Sequence, residues 1–168
     1  MRVPLTILFI LNALIGSAQD NVAQDLLYFN PNTGMYEASQ VLSVDSVKGD
    51  ILYSRAMQWV ALNYKSAKDV IQYSSPIDRK VIVKGAFPVF IFMKEGWIDH
   101  TLTIEFKDGR YRYQFTNLSY YSTGSGQMPL EGKMIAKKKV LSLTNDRIIE
   151  AVEGLHAYIR SSAQQDNW

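Results

Sequence analysis

His100 and His156 are the only imidazoles in this chain of 168 residues, and no cysteine accompanies them. Metal and nucleophile sites announce themselves by short spacings: HExxH or CxxC for zinc, GxSxG for an acyl-transfer serine. None of these spacings occurs, and the two histidines lie far apart in sequence. His100 shares the apolar side of its stretch with aliphatic and aromatic residues, so it reads as a core histidine rather than a ligand or base. GQMPLEGKM (residues 126–134) has one residue too many for a phosphate loop and lacks a Ser or Thr after Lys133. We read it as an ordinary loop. Asp and Glu are plentiful, but a hydrolytic carboxylate pair is defined by its separation in space. A carboxylate-dependent hydrolase therefore stays open as a reading, with no catalytic, cofactor-binding or metal-ligating residue assigned.

The elements that would position any chemistry start with HTLTIEFKDGRYRYQFTN (residues 100–117). Asp108-Gly109 is a strong two-residue hairpin signal, expected as a type I′ turn with positive φ at both positions. Pairing outward sets Lys107 opposite Arg110, Phe106 opposite Tyr111, Glu105 opposite Arg112, Ile104 opposite Tyr113 and Leu102 opposite Phe115. One face then carries His100, Leu102, Ile104, Phe106, Tyr111, Tyr113 and Phe115. The other pairs Glu105 with Arg112, opposite charges that support this register. A one-residue slip would expose every aromatic. The apolar face is therefore core.

Upstream, LLYF (26–29) and MYEASQVLSVD (35–45) flank the turn-former NPNTG, which predicts a first hairpin. Residues 48–64 change period: Leu52, Ala56, Trp59, Val60 and Asn63 share a helical stripe, while Ser54, Arg55 and Gln58 point elsewhere. Trp59 is the expected anchor of this helix on the sheet. DVIQYS (69–74) and KVIVKGAF (80–87) form a second hairpin around SPIDR. Residues 120–133 are Gly/Ser-rich and loop-like, with room for a short strand at their end. Lys137, Lys138 and Lys139 read as a solvated face. From Thr144 the spacing of Ile148, Val152, Leu155 and Ile159 predicts a helix capped by Thr144 or Asn145. Strand, helix, several antiparallel strands and a last helix make an α+β layout: one curved antiparallel sheet with two helices on one face.

Within this layout LYSRAMQW (52–59), SAKDVIQ (66–72), KGAF (84–87) and KDGRYRY (107–113) resemble a family of bacterial exported proteins. That family is a domain of unknown function with a TBP-like fold. The resemblance spans roughly residues 36–121 and, more loosely, the last helix. It implies a TBP-like β-α-β4-α order and brings no catalytic residues, since the family has no assigned activity. The fold's name invites a DNA-binding reading, yet a minor-groove saddle needs a basic exposed face. The charge pattern argues against nucleic acid.

The N-terminus supplies the compartment. Residues 1–18 run from Arg2 through an apolar stretch to Gly16, Ser17 and Ala18, the layout of a cleavable signal peptide. The apolar run is too short for a permanent membrane anchor, so no transmembrane segment is expected after cleavage. Arg2 is the only charged residue removed, which takes the net charge from +2 to +1. The expected organisation is a signal peptide (1–18), a leader with a possible first strand (19–35), one domain (36–163, loop insertion about 120–140) and a frayed tail (164–168). A domain of this size holds together without disulfides, and none can form.

One segment remains: FPVFIFM (87–93), apolar throughout and broken by Pro88, which belongs at a sheet edge. Val89, Ile91 and Met93 face one way and Phe90 and Phe92 the other. A sheet covered on one side can bury only one set, so Phe90 and Phe92 are the candidate contact surface. The function expected is a non-enzymatic envelope module, periplasmic or secreted, that contacts an unknown envelope protein or has a structural role. The first alternative is a carrier or sensor of a small apolar ligand held between sheet and helices. N-terminal sequencing of protein from its host should begin at Gln19; a chain retaining the apolar leader would overturn the export reading.

Overall fold

The computed structural model describes residues 25–161; the expected signal peptide and the frayed tail lie outside them. In chain order the elements are β1 (Tyr28–Asn30), β2 (Met35–Ser43), α1 (Gly49–Asn63), α2 (Ala67–Val70), β3 (Ile71–Ser75), β4 (Lys80–Ile91), β5 (Lys94–Lys107), β6 (Arg110–Ser122), β7 (Gly126–Pro129) and α3 (Lys137–Ser161). The seven strands form one antiparallel sheet in the order β1-β2-β6-β5-β4-β3. β2 covers the first half of β6 and β7 pairs with its second half. The expected β-α-β4-α series is β2, α1, β3 to β6 and α3, to which β1 and β7 are added. α2 is a single turn between α1 and β3, so Asp69 and Val70 are helical rather than the start of a strand.

The β5–β6 ladder has the expected register, with Lys107 opposite Arg110 and Leu102 opposite Phe115. Its inward residues, His100, Leu102, Ile104, Phe106, Tyr111, Tyr113 and Phe115, are all buried. Each large apolar side chain removed from water in this way contributes roughly 1.5–3 kcal/mol. On the outward face Glu105 accepts from Arg112 and pairs with Lys80 at 3.1 Å. The turn differs from expectation: Gly109 takes a positive φ of 75° and Asp108 does not. That sign pattern fits a type II turn, which needs glycine only at its second position. The reason is tertiary. Asp108 Oδ1 accepts from the Gly49 N–H (2.8 Å) and from Arg79 Nη1 (3.0 Å), while Gly109 donates to the Val47 carbonyl. The turn is thus clamped to the start of α1, where a carboxylate also suits the helix dipole.

α1 lies on the inner face through Leu52, Ala56, Trp59 and Val60. Two residues were misplaced by periodicity. Asn63 is exposed, and Arg55 is buried, donating from Nη1 to the Ile159 carbonyl at 3.0 Å. That carbonyl is in the last turn of α3, where backbone acceptors lack helical partners. α3 buries Ile148, Val152, Leu155 and Ile159 as expected, but it begins at Lys137. Thr144 is therefore internal, its hydroxyl bonded to the Val140 carbonyl, and neither it nor Asn145 is a cap. Asn145 Oδ1 instead accepts from the Leu26 and Leu27 N–H groups. Lys138 and Lys139 are solvated, whereas Lys137 bonds the Glu131 and Gly132 carbonyls. Tyr120, Tyr121 and Ser122 belong to β6 rather than to a loop.

Replacing Tyr113, wholly buried, by Ala should cost about 3–5 kcal/mol, as for other core aromatics. Arg112→Ala, on the opposite face, should cost under about 1 kcal/mol. Chemical denaturation of the two variants measures this; equal, mild losses would contradict the assignment of faces.

Candidate interaction surface

Phe90 and Phe92 sit at one end of the sheet, where β4 turns into β5. β4 pairs with β3 only as far as Val83, so from Lys84 onward no strand among the described residues covers its outer edge. Pro88 lies in this uncovered stretch, where its missing N–H leaves no gap in a ladder. The alternation continues past the proline: Val89 and Ile91 are buried, and Phe90 between them is 62% exposed. Phe92 is 76% exposed and Met93 89%. Met93 therefore does not join Val89 and Ile91 inside. It occupies the turn with Phe92, and both have positive φ, 50° and 63°.

The outward side continues from this tip onto the sheet. Pro88 lies beside Trp97, and Trp97 beside Tyr121, their rings 5.7 Å apart. The tip is thus contiguous with half-exposed aromatic surface. Its other end, near the β5–β6 turn, is charged. There Glu105 is held below the ordinary carboxylate range by its bond from Arg112, and Asp108 by the Gly49 N–H. Among the described residues no three His, Cys, Asp or Glu side chains are grouped to hold a metal ion.

The two histidines are not brought together. His156, on α3, meets the Tyr111 hydroxyl through Nδ1 at 3.1 Å. His100 lies on the inner face of β5, stacked on Phe87 at 4.0 Å between ring centres and edge-on to Phe115. Its Nδ1 is 3.4 Å from the Ile98 carbonyl, which can only accept, so Nε2 takes the bond from the Tyr64 hydroxyl at 3.2 Å. Gly85 makes room for this pair: a Cβ there would stand 2.4 Å from the Tyr64 ring. Burial pushes the imidazole from its ordinary 6.5 down to about 4 and raises the Tyr64 hydroxyl. His100 is a neutral core group on the inner face, the opposite face to that of Phe90. Strand parity in the sequence placed Phe90 outward, as the structure has it. It missed Trp97 and Tyr121 as the tip's continuation, because their pairing depends on the register beyond a β-bulge.

Residues 39–121 match the model of a family described as a domain of unknown function (DUF4468) with TBP-like fold. That segment belongs to the DUF4468 family. Two crystal structures share the fold. One is a DUF4468 family protein from Bacteroides ovatus, 10% identical, TM-score 0.56, matched over 72% of this chain and 86% of its own. The other is a TBP-like protein from Parabacteroides distasonis, 16% identical, TM-score 0.59, matched over 77% and 92%. No curated protein matches the chain. At such identities the likeness establishes the TBP-like α+β fold of this DUF4468 domain and leaves its activity to the surface. The matched segment takes in α1 and β3 to β6 up to Tyr121, and with them the whole β4–β5 tip.

His100 in this DUF4468 domain gives a pH signature. Because its folded pKa lies below the unfolded value, the unfolded chain binds more protons between pH 6.5 and about 4. Stability is then full above 6.5 and falls as pH drops through that window, by about 3 kcal/mol for this group. Urea titrations at stepped pH should show the fall in the wild type and a flatter profile between pH 6.5 and 4.5 in His100→Phe. Parallel profiles would remove His100 from the account.

Proposed function

We propose that the protein is an exported, non-enzymatic module of the cell envelope that docks onto another protein through the β4–β5 tip. The observation that carries this reading is the pair Phe90 and Phe92, mostly exposed beside a turn whose two residues, Phe92 and Met93, both take left-handed backbone conformations. Left-handed φ costs a bulky residue about 1–2 kcal/mol, and Asn-Gly would relieve it. A strained turn that holds two large apolar side chains in water is poor for stability and good for presenting anchors. Pro88 in the free edge disfavours strand addition there, so the contact is made by side chains.

The hydrolase reading draws no support from the carboxylates in the groove beside the β5–β6 turn. Glu105 and Asp78 are held below the ordinary range by bonds from Arg112 and Tyr73, opposite to what a general acid requires. A small-ligand role has one observation in its favour, an open groove of about 320 Å³ where Trp59, Tyr64 and Phe87 meet α3. Native mass spectrometry of host-purified protein separates the two readings, through a bound protein or a bound small mass.

Replacing Phe90 and Phe92 together by Ser should leave the melting temperature nearly unchanged and reduce association with the partner or with itself. Met93→Gly should raise stability by about 1 kcal/mol, since glycine accepts the turn's backbone. A large loss of stability in the double variant, with association intact, would make the segment ordinary core.

A further inference from the structure

The register that exposes the tip also arranges the open face of the sheet into rows. Pro88, Trp97, Tyr121 and Gln127 stand side by side on β4, β5, β6 and β7. The next row sets Ala86 beside Asp99 and Ser119, and the one after sets Lys84 beside Thr101 and Thr116. Between Asp99 and Thr101 the pairing slips, and Asn117, with a φ of 52°, is the left-handed residue on β6 at that slip. An aromatic row is therefore followed at once by a polar one. Lys84, Asp99, Thr101, Asn117 and Gln127 line an open groove of about 580 Å³.

The polar groups are organised and only partly used. Gln127 Nε2 donates to Asp99 Oδ2 and to Ser119 Oγ, both at 2.9 Å, and Asn117 Nδ2 lies 3.3 Å from Thr101 Oγ1. These bonds fix two side-chain amides and a carboxylate in place. They leave Asp99 Oδ1, the Gln127 and Asn117 carbonyl oxygens and the Lys84 ammonium without a partner among the described residues. The free groups are three acceptors and one cation: Gln127 stands in the row of Trp97 and Tyr121, Asp99 in the next row and Lys84 in the one after.

We propose that this face binds a neutral oligosaccharide, stacked on Trp97 and Tyr121 and hydrogen-bonded to Asp99, Asn117, Gln127 and Lys84. A sugar ring has apolar C–H faces and a rim of hydroxyls, each both donor and acceptor. Its C–H faces suit the negative faces of aromatic rings, and its rim suits fixed carboxylate and amide oxygens. An apolar peptide would bury those oxygens unsatisfied. A polyanion would meet Asp99 and a single lysine in the groove. The proposal goes beyond the docking reading, since it uses the sheet face and not Phe92 and Met93 at the tip.

The test is calorimetric and fluorescence titration of the full chain with cellohexaose, mannohexaose and xylohexaose, with polygalacturonate as the anionic comparison. At least one neutral hexasaccharide should bind at millimolar concentration or below and perturb tryptophan emission. Tyr121→Ala and Gln127→Ala should each weaken it about tenfold, the scale of one lost ring or hydrogen-bond contact. Gln127 is exposed, so its variant keeps the test valid if Tyr121→Ala fails to fold. Phe92→Ser should leave sugar affinity unchanged while weakening protein docking, which separates this proposal from the other. The absence of binding by all three neutral sugars, binding insensitive to both substitutions, or a preference for polygalacturonate would each overturn it.

Discussion

Parity in the β5–β6 ladder is the constraint on which the rest of this structure depends. A two-residue turn at Asp108 and Gly109 fixes which residues face each other, and alternation then assigns every side chain from the turn to the slip at Thr101 and Thr116 to one face. The inward set presents the aromatic floor on which α1 and α3 pack; the outward set carries Glu105 and Arg112 into water. β4 and β2 inherit the assignment by pairing on either side. Because the Asp108 carboxylate also holds Gly49 and Arg79, the same turn positions the first helix over the face it has just defined. Sheet register and helix placement are therefore one decision rather than two.

Unequal strand lengths create the surface. β4 has twelve residues and β5 fourteen, whereas β3 has five and ends at Ser75, paired back toward Lys80. The long hairpin outruns its neighbour, so its far end has an inner face still covered, with Val89 and Ile91 buried, and an uncovered edge and tip. Glycine keeps this arm packed on the inside. At Gly96 a Cβ would come within 2.7 Å of the Tyr120 ring, so the small residue lets that ring lie flat across β5. Among the described residues no such element covers the outward side, and Trp97, Tyr121 and Phe90 are left at least partly in solvent.

What was legible in the sequence was local. The β5–β6 register followed from a short turn and alternating residues, and α1 from the spacing of Leu52, Ala56, Trp59 and Val60. What failed was decided by partners distant in the chain. Arg55 looked like a solvent residue because its acceptor, the Ile159 carbonyl, is 104 positions away. Asn145 looked like a helix cap, yet it bonds backbone at Leu26 and Leu27, 119 and 118 positions away. The first two turns of α3 were hidden because three lysines precede a single buried residue, Val140, which gives too little periodicity to read. The exposure of Phe90 was legible because burying Val89 and Ile91 leaves it no inner face, whereas Phe92 is exposed together with Met93 in the turn. The polar rows were not legible, since they require the β-bulge and the β6–β7 pairing together.

At the turn of Phe92 and Met93 local preference and global structure disagree over two consecutive residues. Gly34, Gly109, Gly124 and Gly126 occupy left-handed positions as glycine should, and Ser46, Arg79, Asn117 and Ala136 do so as single non-glycine residues. The chain thus accepts isolated non-glycine residues there, but among the described residues only Phe92 and Met93 do so consecutively. At the β4–β5 tip it supplies Phe and Met instead, on the most solvent-exposed part of the long hairpin. Neither residue gains burial to offset the backbone strain, so within the domain alone they are unfavourable in both conformation and hydration. Local inconsistency of this kind concentrates at sites shaped by something other than folding. A partner that covers the tip would reverse the hydration term for Phe90, Phe92 and Met93 together, because all three become apolar area removed from water. The strain would by then be already met in the free protein, and little further ordering would be needed on contact. That is the energetic logic of a preorganised anchor.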